Sequence, residues 1–422
     1  MPILLGAIAD DFTGATDLCS MLVRNGMRTV QLIGVPEPGL AVPEADAVVV
    51  ALKSRTAPVE QAVAESLAAQ RWLAAQGARQ YLFKYCSTFD STDAGNIGPV
   101  ADALLDALGS DFTIACPAFP ETGRTIFKGH LFVGDLLLSD THMRHHPLTP
   151  MTDANLVRVL GRQTARKVGL VPQDVVREGP DSIRARFAEL RAAGCAYAVT
   201  DVTEDVDLRR LGTACADLAL LTGGSGIAMG LPENFRRAGL LEAGVRSDAL
   251  PTVTGAEAVL AGSCSAATLE QVAAMARVRP SLRLEPERLA GGGAAEAAVA
   301  WARERLGGGP VLIYASAPAE EVRAVQERLG REKAGALVED ALAEIARGLV
   351  AAGVRRLVVA GGETSGAVVQ ALGVRGLAIG PMIDPGVPAT VSIGREPRLA
   401  LVLKSGNFGA SDLFTRAFAR MP

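Results

Sequence analysis

The chain has 422 residues and a formal net charge of −4 at pH 7, and 49% of its residues are hydrophobic. This length exceeds what one hydrophobic core usually supports, so two domains are expected. The slight excess of acidic residues provides no basic surface for nucleic acid or anionic lipid, which argues against both as partners.

The cysteines and the N-terminal segment indicate the cellular compartment in which the protein is expected. The six cysteines are far apart in sequence and form no C-x-x-C pair, which argues against a zinc site and a disulfide framework. The apolar run MPILLGA at the N terminus is too short for a signal peptide or a membrane span. We therefore expect a cytoplasmic protein without membrane contact.

Short apolar runs alternate with stretches of helical period along the first half of the chain. The runs are ADAVVVALKS (45–54), QYLFKYCS (80–87), FTIACPAF (112–119) and YAVTDV (197–202). A typical helical stretch between them is VEQAVAESLAAQRWLAAQG (59–77). This alternation predicts βα units around a buried, mostly parallel sheet.

The same rhythm starts again after residue 252. Its apolar runs are EAVLAGS (257–263), PVLIYAS (310–316), RRLVVAGG (355–362), GLAIGPMI (376–383) and LALVLKSG (399–406). The segment 236–255 has no strong period and predicts a linker, while 286–300 predicts a loop that leads into a helix. The fold class expected is α/β, with two domains at 1–245 and 252–422, each a mostly parallel sheet flanked by helices.

Polar residues follow the apolar runs of the first half, where ligands of open α/β sheets bind. Two adjacent acids, Asp10 and Asp11, stand in IADDFTGATD (8–17). The further candidates for substrate binding are Lys53, Arg55, Lys84, Ser87, Asp90 and Arg124. Such a mixture suits a small anionic substrate with several hydroxyls. The alternative for Asp11 is that it only caps a helix starting near Gly14.

The second half is marked by three turns rich in glycine and hydroxyl groups, each after a predicted strand. They are AGSCSAAT (261–268), AGGETSGA (360–367) and KSGNFGASD (404–412). Glycine allows phosphate to approach the backbone, and helix N-termini attract its negative charge, so a nucleotide-phosphate site is predicted. It is not a Walker A loop, because Ala367 and Val368 stand where that motif requires Lys and Ser or Thr.

These segments together resemble a known family. IADDFTGATD, ALKSRT, KYCSTFDSTDAGNIGPV, PAFPETGRT, MRHHPLTPMTDANLVR, LAGSCS, VVAGGETSGAVVQALGV and LVLKSGNFG are similar to the four-carbon acid sugar kinases. The resemblance implies an N-terminal substrate-binding domain, a C-terminal nucleotide-binding domain, and ATP with Mg²⁺ as cofactors. It also implies phosphorylation of the 4-hydroxyl of a 3-oxo-tetronate such as 3-dehydro-erythronate, with D-threonate and D-erythronate as alternative substrates.

The resemblance also assigns residues to roles. The family's ATP contacts correspond to Ser263 or Ser265, Gly361, Gly362, Glu363, Thr364 and Gly406. Glu363 would meet ribose hydroxyls or a magnesium-bound water, or else hold its own turn. For the reaction itself, Asp11 is the favoured acceptor of a hydrogen bond from the substrate hydroxyl, with Asp10 as the second candidate. Lys84 or Arg124 would pin the substrate carboxylate.

All four histidines lie between residues 130 and 146, and HMRHH (142–146) places three of them at helical spacing. On a helix they could bind a metal, but Pro147 follows at once, so a loop near the substrate or a subunit interface is preferred. No metal-ligating residue is therefore predicted. The sequence is compatible with a homo-oligomer but does not decide the oligomeric state.

Two functions from other classes compete with the kinase. A dinucleotide-dependent oxidoreductase is disfavoured, because IADDFTG has acids where a Gly-rich fingerprint should stand. A non-catalytic sensor of a sugar acid and ATP would need the glycine turns but could dispense with the paired aspartates.

Overall fold

The structure is a computed structural model that describes residues 3–37, 39–146, 148–242, 247–285, 289 and 292–422. The chain divides into two compact units, Met1–Ser247 and Asp248–Pro422. The expected domain end at 245 lies outside the described residues, as do 286–288 and 290–291 of the predicted loop.

A parallel sheet forms the centre of the first unit. Its strands, in the spatial order β2-β3-β1-β4-β11-β5-β10-β9, all pair in parallel. They are β1 (Leu5–Ala9), β2 (Thr29–Ile33), β3 (Ala47–Ala51), β4 (Gln80–Lys84), β5 (Thr113–Cys116), β9 (Lys167–Val171), β10 (Cys195–Thr200) and β11 (Leu220–Gly223). The inner strands β1, β3 and β4 are buried along their whole length, as expected for strands covered on both faces.

Eight α-helices within the described part of the first unit connect these strands. They are α1 (Phe12–Arg24), α2 (Val59–Ala75), α3 (Ile97–Ala107), α4 (Leu156–Gly161), α5 (Gln173–Glu178), α6 (Pro180–Ala192), α7 (Asp205–Ala214) and α8 (Pro232–Arg237). Short 3₁₀ helices lie at Pro120–Thr122, Leu138–Asp140, His142–His145 and Ser225–Gly230.

A small antiparallel sheet interrupts this pattern and was not predicted from the sequence. It consists of β6 (Arg124–Phe127), β7 (His130–Val133) and β8 (Leu136–Leu137). The β6–β7 turn has positive φ at both Lys128 and Gly129, as a two-residue hairpin requires. Asp201 holds the turn by accepting from both backbone N–H groups, at 2.7 and 2.8 Å.

The second unit contains a mixed sheet in the order β13-β14-β12-β15-β18-β17-β16. The strands are β12 (Ala256–Ala261), β13 (Ser281–Arg283), β14 (Val311–Tyr314), β15 (Val354–Ala360), β16 (Gly376–Asp384), β17 (Val387–Ile393) and β18 (Ala400–Lys404). The pairings from β13 to β18 are parallel, and β17 is antiparallel to both of its neighbours. The expected fold class, α/β with mostly parallel sheets and flanking helices, is confirmed.

The helices of the second unit follow the βα rhythm of its parallel strands. They are α9 (Ala266–Ala276), α10 (Ala294–Arg303), α11 (Ala319–Leu329), α12 (Arg331–Ala351), α13 (Gly362–Ala371) and α14 (Leu413–Arg416), with 3₁₀ turns at Leu306–Gly308 and Ala417–Ala419. Throughout the described residues, no helix is both long and apolar enough to cross a membrane.

Candidate functional site

The ends of three adjacent strands bring the main polar residues of the first unit together. In the order β3-β1-β4, the chain leaves β1 at Asp10, passes Arg55 after β3, and ends β4 at Lys84. The backbone carbonyl of Asp10 accepts from the N–H groups of Ser54 and Arg55, at 3.0 and 3.2 Å. The turn after β3 is therefore fixed against the end of β1.

Arg55 is the centre of this cluster. Its guanidinium donates to both oxygens of Asp10, with Nε–Oδ2 at 2.9 Å and Nη2–Oδ1 at 2.8 Å. Nη2 also donates to Oδ1 of Asp11 at 2.7 Å, and Nη1 lies 3.9 Å from Oδ2 of Asp90. One half-buried cation thus joins three of the predicted carboxylates.

Asp11 combines this ion pair with a helix cap. It is the N-cap of α1 and accepts from the Gly14 N–H at 3.1 Å and the Thr13 hydroxyl at 2.9 Å. The capping alternative thus describes a real contact, although α1 begins at Phe12 rather than near Gly14. Burial alone would raise the pKa of Asp11, but Arg55, Lys84 and these hydrogen bonds outweigh it and hold the pKa well below its usual range.

Lys84 supplies a second buried positive charge. A Cβ at Gly14 would lie 2.5 Å from the Lys84 ammonium, so the small residue makes room for it beside α1. Its charge acts on Asp10, Asp11 and Asp17. Burial nevertheless raises the pKa of Asp10 and of Asp17 above the usual value, against the attraction of Arg55 on Asp10 and of Lys84 on Asp17. Asp17 is therefore a further acid of this site that was not included among the predicted site residues.

The other predicted residues of the first unit lie at different distances from the cluster. Asp90 accepts from the Thr88 hydroxyl at 2.5 Å, and Ser87 lies half-buried in the same turn after β4. Lys53 is exposed, two residues before Arg55.

Arg124 opens β6 of the small sheet and donates to the Thr122 carbonyl. It forms no ion pair with the cluster among the described residues. β11 lies between β4 and β5, so the ends of β1, β3, β4 and β5 are not consecutive in the sheet.

Two amide side chains that sequence reasoning missed support the cluster. The Asn96 amide donates to the carbonyls of Ser54 and Ala57, at 2.7 and 2.9 Å, and so fixes the turn that carries Arg55. The Gln163 amide holds the loop of residues 91–98. It donates to the Ser91 hydroxyl at 2.9 Å and accepts from the Gly98 N–H at 2.9 Å. Asn96 stood within the quoted family motif, which was the available signal.

The three glycine and hydroxyl turns of the second unit meet, because β12, β15 and β18 are adjacent. A Cβ at Gly361 would lie 3.1 Å from the Ser263 nitrogen, and one at Gly406 would lie 2.6 Å from the Ser263 hydroxyl. Gly361 also has φ of +126°, which favours glycine. Ser265 caps α9 and donates to the Gly406 carbonyl.

The N-terminus of α13 belongs to the same group of turns. Gly362 and Glu363 are exposed in its first turn, while Thr364 is buried beside Gly262. These contacts place every residue carried over as an ATP contact at one edge of one sheet.

A pocket of about 500 Å³ opens next to these turns, within the range of small-molecule sites. Its floor includes Ser263, Gly361, Gly362, Glu363 and Thr364. Its other walls were not predicted as functional and come from the loop after β14 and from α11 and α12, through Ala315, Ala317, Val322, Val325, Ala334 and Val338. The lining also includes the charged residues Arg283, Glu285, Glu321, Arg328 and Glu339. The pocket therefore joins the turn region to a wall that has both apolar and charged parts.

Comparison with known proteins decides the family. A family model described as a sugar-binding N-terminal domain matches residues 5–231, and one described as a nucleotide-binding C-terminal domain matches residues 258–414. The chain is 64% identical over 421 residues to a 3-oxo-tetronate kinase of Pseudomonas fluorescens, covering 99% of this chain and 97% of the relative. The chain belongs to the four-carbon acid sugar kinase family.

Another curated relative and two solved structures are also similar to the chain over nearly its full length. A 3-oxo-tetronate kinase of Burkholderia multivorans is 64% identical over 98% of this chain and 96% of its own length. A solved structure from Haemophilus influenzae has a TM-score of 0.82 at 43% identity, with 99% and 100% of the two chains covered. One from Salmonella typhimurium LT2 has a TM-score of 0.88 at 42% identity and 99% coverage of both chains.

The histidine segment of the chain does not form an α-helix. His142–His145 form a short 3₁₀ helix in which His142 and His145 are exposed. The His146 ring nitrogen Nδ1 accepts from the Thr149 N–H at 3.1 Å. In the described parts of the chain, no group of three or more His, Cys, Asp or Glu side chains could hold a metal ion.

Proposed function

We propose that the protein is an ATP-dependent kinase that transfers a phosphoryl group to the 4-hydroxyl of 3-oxo-tetronate. The observation that carries the substrate is the near full-length identity of 64% to relatives named 3-oxo-tetronate kinase. The geometry supports the reaction class, because one unit carries a carboxylate–guanidinium cluster and the other a pocket floored by glycine turns.

The acid binds in the first unit in this proposal. Asp11 accepts a hydrogen bond from the reacting hydroxyl, because its side chain is 26% exposed and can be reached by the substrate. The Asp10 side chain is only 7% exposed, and both of its oxygens are bonded to Arg55. A low pKa suits this role, because a kinase carboxylate mainly orients the hydroxyl. Asp10 then holds Arg55 in place.

The remaining residues of the first unit bind the rest of the acid. Lys84 attracts the substrate carboxylate, with Arg124 as the alternative. Lys53, Ser87 and Asp90 are the proposed partners of the other polar groups.

The nucleotide binds in the second unit. Its phosphates lie on the turns that contain Ser263, Ser265, Gly406 and the 361–364 segment, where backbone N–H groups and the α13 N-terminus favour negative charge. The apolar side of the pocket takes the base. We infer 1–245 as the substrate domain and 252–422 as the nucleotide domain on this basis.

Magnesium is the proposed metal cofactor, and the residues present fit it. Mg²⁺ is usually held by substrate phosphates, waters and one or two carboxylates, so a full protein cage is not required. Glu363, exposed in the first turn of α13 at the pocket, would hold a magnesium-bound water. When bound, the ion would neutralise phosphate charge.

The direct test is a coupled assay for ADP with ATP, magnesium and a panel of acids. We expect ADP release with 3-oxo-tetronate above that with D-threonate or D-erythronate, and a 4-phosphate product by phosphorus NMR. Stoichiometric ATP and acid binding without ADP would instead indicate the sensor, and turnover restricted to threonate or erythronate would correct the substrate.

We also infer a cytoplasmic location, because all six cysteines are free thiols. Fractionation of cells with an antibody to the protein tests it. Light scattering of the purified protein decides whether it forms a homo-oligomer.

A further inference from the structure

Lys404, the last residue of β18, has its ammonium buried in the second unit. Nζ donates to the Thr268 hydroxyl at 2.9 Å, to the Gln271 amide oxygen at 2.8 Å and to the Gly406 carbonyl at 2.9 Å. These three bonds use all the donors that an ammonium has. Lys404 is thus a fully hydrogen-bonded cation at the edge of the sheet that carries the pocket.

The same residue contacts all three turns of the proposed phosphate site. Its backbone carbonyl accepts from the Gly361 N–H at 2.9 Å. Its ammonium shares the Gly406 carbonyl with the Ser265 hydroxyl and with the Thr268 hydroxyl, the latter at 3.0 Å. Loss of this residue would therefore loosen the turns relative to one another.

The three acceptors of Lys404 are neutral, so its charge is buried without a carboxylate partner in the described residues. On the elements around it, Arg416 pairs with Asp384 of β16 and with Asp412. Glu270 of α9, Cys264 of the serine turn and Glu363 of α13 are exposed. Burial lowers the pKa of Lys404 to about 8, because a buried ammonium loses its hydration.

We propose that Lys404 is the electrostatic positioning residue of the nucleotide site, whose buried charge is compensated by the phosphates of the bound nucleotide. The inference rests on the proposed function and deepens it. It explains why a lysine, rather than an apolar residue, stands at the end of β18. It also makes nucleotide binding depend on a proton, since only the protonated side chain attracts phosphate.

The sign of the coupling follows from linkage. A nearby anion raises the pKa of a lysine, so the complex binds more proton than the free protein between the two pKa values. Nucleotide affinity is then highest below about pH 8 and falls as the pH rises. Each unit by which the nucleotide raises this pKa weakens binding about tenfold once the pH exceeds both values.

Titration calorimetry of the full-length protein with a non-hydrolysable ATP analogue tests this at pH 8.5, in two buffers of different ionisation enthalpy. We expect the wild type to take up a substantial fraction of one proton, because the phosphate groups themselves are already ionised there. Lys404→Arg stays charged and should bind without proton uptake, whereas Lys404→Met should bind more weakly and also without uptake.

Two controls separate Lys404 from other groups. Cys264→Ser removes the exposed free thiol of the serine turn, and proton uptake should persist. Lys167→Met removes an exposed lysine of β9, and both affinity and uptake should match the wild type. The wild-type KM for ATP should rise about tenfold between pH 7 and pH 9.5 while the KM for the acid changes less.

The outcomes distinguish this inference from the function. Nucleotide binding with no proton uptake and a flat KM for ATP overturns the role of Lys404 and leaves the kinase intact. Uptake that survives in Lys404→Arg assigns the proton to another group and also overturns it. Absence of nucleotide binding by the wild type contradicts the proposed function itself. A flat wild-type profile overturns the inference even if both substitutions at position 404 prevent folding.

Discussion

Arg55 forks Asp10, with its Nε and Nη2 atoms 2.9 and 2.8 Å from the two carboxylate oxygens, and the same Nη2 reaches Asp11 at 2.7 Å. The two adjacent aspartates are thus held by one shared cation. Arg55 is bonded to both carboxylates and, together with the Lys84 charge, offsets their mutual repulsion.

Arg55→Met leaves two carboxylates with little access to water and without their shared partner. We expect a loss of about 3–5 kcal/mol in the free energy of unfolding, measured by urea denaturation. Arg24→Met is the matched control, because the exposed Arg24–Glu121 pair in the same unit should contribute about 0–1 kcal/mol. Equal losses in the free energy of unfolding for the two substitutions would show that the bidentate Arg55–Asp10 contact does not stabilise the protein.

Asp11→Asn keeps the size of the side chain and its ability to cap α1, but removes the charge that orients the hydroxyl. We expect kcat to fall by roughly 10²–10⁴-fold with an unchanged KM for ATP, measured by steady-state kinetics. Asp10→Asn should lose more stability than turnover number, since Asp10 holds Arg55. If both Asp11→Asn and Asp10→Asn turn over at near the wild-type rate, Asp90 becomes the leading candidate.

The stability that Asp11 contributes should depend on pH. Because its pKa is held below the usual value in the folded protein, its contribution is full above the unfolded-state pKa near 4 and is lost as the pH falls through the folded-state pKa. Asp11→Asn should therefore destabilise the protein by about 1–3 kcal/mol at pH 7, and by progressively less below pH 4. Urea denaturation of both proteins across this range measures the difference, and a pH-independent difference would contradict it.

Gly362→Val places a branched side chain at the first residue of α13, where the phosphates are proposed to approach. The KM for ATP should rise at least tenfold, while the KM for the acid stays within about twofold. Gln370→Val, an exposed position of the same helix, controls for the cost of a β-branched residue. Equal KM values for ATP in the two variants would indicate that the turn at Gly362 has a structural role and does not contact the phosphates. Gly361 is less suitable, because its positive φ confounds the result.

Ala317→Trp should fill the apolar part of the pocket without touching the phosphate turns. We expect weaker binding of ATP, seen as a KM raised about tenfold or more, with kcat at saturating ATP close to the wild type. Fluorescence of the new indole should also change on addition of ATP. An unchanged KM would place the base elsewhere.

The sequence was informative where one local pattern determines one feature. Fully apolar runs identified the buried strands, and polar residues directly after them identified Asp10, Asp11 and Arg55. Glycine and hydroxyl residues after apolar runs identified the turns around Ser263 and Gly361, and the motif resemblance selected the same turns. Each of these depends on neighbours in the chain, or on parallel strands whose ends share one edge.

Features that depend on distant pairings could not be read in this way. Strand order is set by packing, so the position of β11 between β4 and β5 had no local signal. Asn96 and Lys404 stood within quoted motifs, but their hydrogen-bond partners lie far away in the chain and could not be inferred from them. The antiparallel β6–β8 sheet is built from short segments around glycine, a pattern that also fits loops.

The place of β11 also has a consequence for how the chain acquires its structure. Gly223 ends this strand so close to β5 that a Cβ would lie 2.2 Å from the Cys116 carbonyl oxygen. β11 pairs with both β4 and β5, so this part of the sheet can be completed only after residues 220–223 have been synthesised. Pairing between segments so distant in sequence slows folding and leaves strand edges unpaired for longer.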